Sequence, residues 1–262
     1  MATTTDLTGK VAIVTGASRG IGAAIAQRFA AAGAAVAVTA RTTEPTDPRL
    51  PGTIHETVES ITTAGGEAVA IAANLAEAAD RERLVAQARE QLGPIDILVN
   101  NAAVTFFLPI EEFPAKRFDL MMEVQVWAPL HLTQLVLPEM KQRRSGWILN
   151  ISSRAAIHPT FPPPQWAAGG AGVVYGMCKA ALERFSTGLA ASVYADGIAV
   201  NALSPNLVVP TPGTILHHLV RDDRESEDPA VMAEAALRLC SGDAAELTGR
   251  IAYSQDLLDE LG

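Results

Sequence analysis

Near its start the chain reads Lys10-Val11-Ala12-Ile13-Val14-Thr15-Gly16-Ala17-Ser18-Arg19-Gly20-Ile21-Gly22, and this stretch decides its fold. Residues 11–14 are apolar and mostly β-branched, which is typical of a strand buried on both faces. Three glycines follow at the spacing G-x-x-x-G-x-G, and a helix is predicted over 23–32. Glycine allows a tight turn and lets a phosphate approach bare backbone, while the helix N-terminus supplies free N–H groups. The stretch therefore predicts a dinucleotide-binding turn.

Size and charge limit the class of protein. With 262 residues and 48% hydrophobic side chains, the chain can enclose one large core, and α/β domains of this length are commonly single. The formal net charge is -9 at pH 7, and no basic run is visible. Because a phosphate backbone is bound by clustered Lys and Arg, we expect no nucleic-acid partner.

The sequence gives no sign of a disulfide framework, a metal site or a membrane segment. Cys178 and Cys240 lack a metal-ligand spacing, and the five histidines form no H-x-x-x-H pattern. The first six residues do not resemble a signal peptide, and prolines and glycines prevent the uncharged segment 155–178 from spanning a membrane. We expect a cytoplasmic protein without a metal or a membrane span.

Apolar strands alternate with amphipathic helices along the whole chain. This order predicts an α/β fold, a Rossmann-like doubly wound parallel sheet with helices on both faces, in a single domain over 1–262. Ligands of such sheets bind at the carboxyl ends of the strands. Strands are predicted at 11–14, 34–39, 68–72, 95–99, 147–151, 198–202 and 250–253, and helices at 23–32, after 54, at 79–92, 115–141 (with a kink at Pro129), 173–195 and 228–240.

A phenol and an ammonium stand four residues apart at Tyr175 and Lys179, on one face of a predicted helix. A nearby cation favours the phenolate and would lower the pKa of Tyr175. Taken alone, the pair is better explained as an ordinary exposed i, i+4 pair of side chains. The fifth strand, however, ends in Ser152 and Ser153, which puts a hydroxyl at the same edge of the sheet.

Together these motifs resemble the short-chain dehydrogenase/reductase family over nearly the whole chain. The matching features are the turn at 15–22, Asn100-Asn101 after the fourth strand, Ser153, and Tyr175-x-x-x-Lys179. Residues 41–54 and 117–122 are similar to the hydroxysteroid dehydrogenase-like and citronellol dehydrogenase-like branch.

The resemblance implies a role for individual residues. Tyr175 is expected to donate or accept the proton, Lys179 to hold the nicotinamide ribose and acidify Tyr175, and Ser153, rather than Ser152, to polarise the substrate oxygen. Gln125 occupies the slot of an asparagine that supports a proton-relay water. Besides Tyr175 and Lys179, the residues expected at the cofactor are Gly16, Ser18, Arg19, Gly20, Ile21, Gly22, Arg41, Thr42, Asn74, Leu75, Asn101, Ala102, Ala103, Pro205, Asn206 and Val208.

The chain departs from the family pattern at several of these positions. Ala103 and Asn206 replace glycines, Asn74 replaces the aspartate that touches adenine, and Gln125 is one methylene longer than the usual asparagine. The segment between Ser153 and Tyr175 is longer than is usual in the family.

Arg41 indicates which dinucleotide is preferred. A cofactor without a 2′-phosphate is usually held by a carboxylate at the end of the second strand. Here that strand is followed by Arg41, and no acid precedes Glu44. A guanidinium can bind a phosphate through two parallel hydrogen bonds, so we expect NADP(H) to be preferred, with NAD(H) as the alternative.

Apolar side chains on the loops at this edge predict a hydrophobic substrate pocket. The loops at about 154–172 and 206–228 are expected to form it, and the segment 159–172 to close over the substrate. The run Phe161-Pro162-Pro163-Pro164 is alternatively a polyproline ligand, and 222–228 is expected to be solvated and mobile. The residues assigned to the pocket are Phe106, Phe107, His158, Phe161, Trp166 and Val209.

The sequence thus predicts an NADP(H)-dependent oxidoreductase that interconverts an apolar, steroid- or terpenoid-like alcohol and its ketone or aldehyde. The resemblance also implies a homodimer or homotetramer. Two alternatives stay open: a 3-oxoacyl thioester reductase, and a dinucleotide-binding regulatory protein without catalysis.

Overall fold

One parallel sheet of seven strands lies at the centre of the computed structural model, which describes residues 5–45, 47–163, 171–221 and 224–262. The strands are β1 Val11–Thr15, β2 Ala35–Ala40, β3 Glu67–Ala72, β4 Ile97–Asn100, β5 Gly146–Ile151, β6 Ile198–Ser204 and β7 Ile251–Tyr253. Their spatial order is β3-β2-β1-β4-β5-β6-β7. The order reverses between β1 and β4, and this is where a ligand crevice opens in such sheets.

Helices connect successive strands and cover both faces of the sheet. They are α1 Gly20–Ala31, α2 Ile54–Thr63, α3 Ala78–Leu92, α4 Ala115–Met122, α5 Ala128–Arg143, α6 Val173–Val193, α7 Pro212–Leu216, α8 Pro229–Ser241 and α9 Ser254–Leu261. Side chains of a strand alternate between two cores, as in β1, where Ala12 and Val14 pack with α1 and α8 and Ile13 packs with α3 and α5. Burial on both faces explains the continuous apolar runs in the sequence.

The predicted Rossmann-like fold is confirmed, with the ends of the predicted elements shifted by at most three residues. Two short helices, α7 and α9, were not predicted. The long helix expected over 115–141 is interrupted before the predicted kink at Pro129. Residues 123–127 form a π-helical segment, in which the N–H of Ala128 donates to the carbonyl of Glu123, five residues back. Pro129 has no N–H for the carbonyl of Gln125, which favours the wider turn.

The glycine turn packs tightly against the loop that follows β4. Gly16 and Gly20 have φ angles of 66° and 57°, a region that L-residues rarely adopt. A Cβ at Gly16 would lie 2.8 Å from Cα of Ala102. A Cβ at Gly22 would lie 2.5 Å from the carbonyl oxygen of Gly16 and still nearer to Nδ2 of Asn101. Gly16 and Gly22 are therefore required by this close packing, and Gly20 by its positive φ angle, independently of any ligand.

Gly22→Ala is expected to lower the free energy of unfolding by about 1–3 kcal/mol, because the added methyl group meets backbone that cannot move without disturbing β1. Urea unfolding followed by circular dichroism measures this. Gly213→Ala is the matched control: its Cβ would have no neighbour nearer than 3.8 Å, and alanine favours a helix, so stability should be unchanged or rise by up to about 1 kcal/mol. Equal stability of the two variants would contradict the tight packing of the turn.

Candidate active site

The N-terminus of α1 lies at the carboxyl edge of the sheet, directly after the glycine turn. The residue before it, Arg19, makes no side-chain hydrogen bond to the helix, and the first turn contains no acidic residue. The neighbouring helix α2 differs, because Thr53 and Glu56 form a capping box that satisfies its N–H groups. The uncapped end of α1, with glycines that leave its backbone bare, fits the phosphates of a dinucleotide.

Asn101 holds the glycine turn against the loop after β4. Its Nδ2 atom donates to the carbonyl oxygens of Thr15 and Gly16 at 2.8 and 3.2 Å. In return, the hydroxyl of Thr15 accepts from the backbone N–H of Asn101 at 2.9 Å and from that of Ala102 at 3.1 Å. The side chain of Asn101 is thus used to lock the turn, while Ala103 is exposed at the edge of the sheet.

Two arginines flank the crevice: the side chain of Arg19 is hydrogen-bonded, whereas that of Arg41 has no partner among the described residues. Arg19 donates from Nε to the carbonyl of Pro51 at 2.9 Å and from Nη2 to that of Gly52 at 2.7 Å, and so braces the loop before α2. Arg41 follows β2 directly, is exposed, and makes no hydrogen bond or ion pair with the described residues. Its guanidinium is therefore free for a ligand, next to Thr42, whose carbonyl accepts from Ile54.

Residues after β3 form a closed turn. Oδ1 of Asn74 accepts from the N–H of Ala76 at 3.2 Å, and the N–H of Asn74 donates to Asp80 at 2.7 Å. The side chain of Leu75 is buried in the core, and its carbonyl accepts from Arg81 at 2.5 Å. Because the Leu75 side chain packs inward, only the backbone of this residue can make the expected contact with the cofactor, which stays a prediction. Ser18 is likewise buried, and Ile21 packs on the core.

The end of β5 and one face of α6 bring the predicted catalytic residues together. Ser153 lies beside Tyr175, where its hydroxyl favours the phenolate, and it accepts from the N–H of Ala155 at 3.2 Å. The Nζ atom of Lys179 donates to the carbonyl of Ile151 at 2.8 Å and lies 5.7 Å from the centre of the Tyr175 ring. Ser152 does not turn to the other side of the sheet as strand alternation predicts, because β5 ends at Ile151; its hydroxyl donates to Glu183, also on α6, at 2.7 Å.

The pKa of Tyr175 lies above its ordinary value, contrary to the expected acidification by Lys179. Burial disfavours the phenolate and outweighs the hydrogen bond from Ser153, which acts in the opposite direction. Burial also lowers the pKa of Lys179 to about 8. The ammonium alone therefore does not acidify the phenol in this structure, because both groups are removed from water.

Gln125 lies on the π-helical segment and is 1% exposed. Its Nε2 atom donates to the carbonyl of Val104 at 2.9 Å. Its Oε1 atom is buried without a hydrogen-bond partner in the part of the chain that the structure describes. A buried amide oxygen that lacks a donor is costly, which makes Oε1 an acceptor available at this position.

The aromatic ring of Phe107 contacts the ring of Tyr175. The two rings are 5.9 Å apart in an edge contact, and Phe107 makes a second edge contact, at 5.3 Å, with His217. Phe106 packs in a small cluster with Met121, and the guanidinium of Arg117 lies 4.8 Å from its ring centre. His217 was missed by sequence reasoning, because no pattern connects it to residues 110 positions earlier.

The other predicted pocket residues differ in burial. Val209 is 2% exposed and belongs to the core. Phe161 is 85% exposed, His158 is exposed, and neither makes a hydrogen bond or ring contact with the described residues. Their expected contact with a substrate stays a prediction. Trp166 lies outside the described residues.

Asn206 is turned away from the cofactor crevice and caps α9. Its Oδ1 atom accepts from the N–H of Gln255 at 2.8 Å, and its Nδ2 donates to Asp256 at 2.9 Å. The side chain of Asn206 is thus engaged with α9, and the expected cofactor contact of this residue stays a prediction for its backbone. The substitution of the family's glycine is explained, since the first turn of α9 has no side-chain cap of its own. Pro205, just before it, is partly buried at the end of β6.

The segment 222–228, expected to be solvated and mobile, is exposed at 224–226 and 228, but Glu227 is a buried carboxylate; the mobility stays a prediction. Glu227 is 5% exposed and accepts from Ser254 Oγ at 2.5 Å and from the N–H of Asn206 at 2.9 Å. Val208 pairs with Ser226 in a short bridge, and Asp228 caps α8. Positions 222 and 223 lie outside the described residues.

The contact of Thr211 with the glycine turn was also not predicted from the sequence. Its Cγ2 atom would lie 2.9 Å from a Cβ at Gly20, so the start of α7 packs against the glycine turn. The signal was present in the sequence: a threonine before a proline is a helix N-cap, and Thr211 and Thr214 form a capping box.

Among residues 5–45, 47–163, 171–221 and 224–262, no three His, Cys, Asp or Glu side chains cluster as metal ligands would. None of the helices in these ranges is both long and apolar enough to traverse a bilayer.

Comparisons with known proteins agree on the family. The family model described as short chain dehydrogenase matches residues 10–216. A short chain dehydrogenase of Pseudocercospora fijiensis is 39% identical over 206 residues, 78% of this chain and 61% of that protein. Hydroxysteroid dehydrogenase-like protein 2 of Xenopus tropicalis is 32% identical, over 99% of this chain and 60% of that protein. The chain thus spans about three fifths of these two relatives. Dehydrogenase/reductase SDR family member 4 of Homo sapiens is 34% identical, over 93% of this chain and 85% of that protein.

Solved structures give the same result. A short chain dehydrogenase of Mycobacterium thermoresistibile is 37% identical with a TM-score of 0.84, over 98% of this chain and 89% of that one. A metagenomic short-chain oxidoreductase, solved in complex with NADP, is 28% identical with a TM-score of 0.76, over 95% and 98% of the two chains.

The seven-stranded fold and the matched family model define the class of protein as a Rossmann-like short chain dehydrogenase. The chain belongs to the short-chain dehydrogenase/reductase family, in its hydroxysteroid dehydrogenase-like branch, which confirms the resemblance seen in the sequence.

Asn206→Ala is expected to reduce the free energy of unfolding by about 1–2 kcal/mol, because the first turn of α9 loses its cap. Chemical denaturation measures the change. Gln255→Ala on the same helix removes only a surface contact with Asp259 and should cost less than about 0.5 kcal/mol. If Asn206→Ala leaves stability unchanged but weakens cofactor binding, the side chain serves the cofactor instead.

Proposed function

We propose that this protein is an NADP(H)-dependent oxidoreductase that interconverts an apolar alcohol, steroid- or terpenoid-like, and its ketone or aldehyde. One observation carries the proposal: Tyr175 has the Ser153 hydroxyl close by, the Lys179 ammonium 5.7 Å from its ring centre, and the apolar ring of Phe107 in edge contact. Such a site offers a proton donor, an oxygen-binding hydroxyl and an apolar contact within a few ångströms.

The residues divide the chemistry among them. When bound, the nicotinamide accepts a hydride from the alcohol carbon or returns it to the carbonyl carbon. Tyr175 removes the hydroxyl proton in the oxidative direction and returns it in the reductive direction, so that one proton and one hydride leave together as the C=O bond forms. Ser153 holds the reacting oxygen. Lys179 is proposed to bind the ribose and to favour the phenolate, which burial otherwise disfavours.

Gln125 is proposed to complete the proton path. Its buried Oε1 atom lacks a donor among the described residues, so it can accept a hydrogen bond from a proton carrier in the site.

Preference for NADP(H) is proposed from Arg41. The exposed guanidinium has no partner among the described residues, and the uncapped end of α1 supports an anion at the same edge of the sheet. The solved relative that contains NADP supports this choice. The apolar substrate class is supported by Phe107 and by the hydroxysteroid dehydrogenase-like relatives. Assembly as a homodimer or homotetramer and a cytoplasmic location stay predictions from the sequence.

Tyr175→Phe should lower kcat/KM by about 10²–10⁴-fold, because the phenol that moves the proton is lost. A cofactor-reduction assay over steroid, terpenoid and straight-chain alcohols measures the activity, and fluorescence titration should find the Kd for NADPH nearly unchanged. Tyr194→Phe is the matched control, since Tyr194 is exposed just beyond α6, and it should keep wild-type activity. Wild-type turnover in Tyr175→Phe would contradict the assignment. A regulatory, inactive protein would show no turnover in either form.

Arg41→Ala should raise the Kd for NADP(H) about ten- to hundredfold, because charge-assisted hydrogen bonds to the 2′-phosphate contribute about 1.5–3 kcal/mol. The Kd for NAD(H) should hardly change. Arg184→Ala removes the same charge from an exposed site on α6 and should alter neither value. Tighter binding of NAD(H) than of NADP(H) to the wild-type protein would overturn the preference.

A further inference from the structure

Three consecutive residues at the end of β5 contact three residues spaced by one helical turn on α6. Ser153 lies beside Tyr175, the carbonyl of Ile151 accepts from Lys179 at 2.8 Å, and Ser152 Oγ donates to Glu183 at 2.7 Å. Positions 175, 179 and 183 follow one another at i, i+4 and i+8, hence on one face of the helix. Glu183 is therefore the third member of a row whose first two members form the proposed catalytic pair.

Glu183 is partly buried, and this makes its charge effective. Burial raises its pKa, while the hydrogen bond from Ser152 and the neighbouring Lys179 ammonium act in the opposite direction. Ser152 and Lys179 are themselves buried. Charges interact more strongly away from water than on an exposed surface, so the carboxylate acts on Lys179 with little screening.

The pKa of Lys179 responds to the negative charge of Glu183, one helical turn further along α6. Burial lowers its pKa, and Cys178 and Glu183 raise it when they are negatively charged. The pKa of the Cys178 thiol is itself raised by burial, so Cys178 is neutral near neutral pH and Glu183 supplies the negative charge there. The two strands that pack against α6, β5 and β6, carry no ionisable side chain.

Tyr253 also interacts with this row, because burial and the Glu183 carboxylate both raise its pKa, whereas other ionisable groups nearby have partners elsewhere. Glu123 of the π-helical segment is paired with Arg81 at 2.6 Å. The guanidinium of Arg154, just after β5, lies 5.9 Å from the ring centre of Tyr253. Elements packed against α6 also carry Lys116, Arg117, Asp119, Tyr194 and Asp196, and Asp256 lies near Tyr253.

We propose that Glu183 is a positioning residue of the active site: it fixes Ser152, and with it the adjacent Ser153, and keeps Lys179 in its charged form. The role of Glu183 in catalysis rests on the proposed function, whereas its effect on the charge of Lys179 does not. No motif indicates it, because the contact joins a strand end to a helix 31 positions later.

The test is direct because the chain contains only four lysines, at positions 10, 116, 141 and 179. Protein labelled with ¹³C at lysine Cε is titrated by NMR, and Lys179→Arg identifies the resonance. Glu183→Gln keeps the size of the side chain and an acceptor for Ser152, but removes the charge. The Lys179 midpoint should fall by about one pH unit, while the other three resonances stay in place.

Two further variants separate charge from packing. Glu183→Asp keeps the charge and should restore most of the midpoint even if Glu183→Gln folds poorly. Ser152→Ala removes the hydrogen bond but keeps the carboxylate, so the midpoint should change little while kcat falls through a less ordered Ser153. Arg184→Ala, one residue along on the exposed face, should change nothing.

Activity gives the second measurement. Because activity requires the ammonium, the alkaline limb of the kcat/KM profile in Glu183→Gln should move to lower pH by the same amount as the NMR midpoint. An unchanged Lys179 midpoint in Glu183→Gln overturns the proposal, even if activity falls. If the wild-type protein oxidises no alcohol, the proposed function fails, while the NMR titration still decides whether Glu183 holds the charge on Lys179.

Discussion

The close approach of two backbones, the glycine turn after β1 and the loop after β4, is the constraint on which the site depends. Asn101 and Thr15 tie these segments together with four hydrogen bonds, and a side chain at Gly16 or Gly22 would push them apart. The same contact leaves the N-terminus of α1 uncapped at the edge of the sheet. Glycine therefore has two roles here: it allows the two backbones to approach closely, and it leaves bare the helix N-terminus where an anion is proposed to bind.

Removal of water governs the chemistry at the other side of the crevice. Burial raises the pKa of Tyr175 and lowers that of Lys179, so both groups are pushed toward their neutral forms. The spacing of the pair on a helix is not sufficient to set its charge. The neighbours that oppose desolvation, Ser153 at the phenol and Glu183 at the ammonium, come from a strand end and from the next turn of the helix.

Departures from the family pattern have local physical causes in this chain. Asn206 caps α9, and the buried Glu227 holds the loop after β6, so a position that is glycine in relatives here supports the C-terminal helix. Gln125 uses its extra methylene to reach the carbonyl of Val104, while its oxygen stays available. Neither effect is visible in the sequence, because each needs a partner far away along the chain.

The sequence by itself determined the alternation of strands and helices, the glycine turn, the family, and the residue types at the catalytic positions. These follow from local periodicity and short spacings, which depend on neighbouring residues alone. Only the tertiary structure decided that Val209 is core, that Asn206 faces α9, that His217 reaches Phe107, and that the pKa of Tyr175 rises rather than falls. Contacts between distant segments and the exclusion of water arise only when the chain packs, and no short stretch of sequence encodes either.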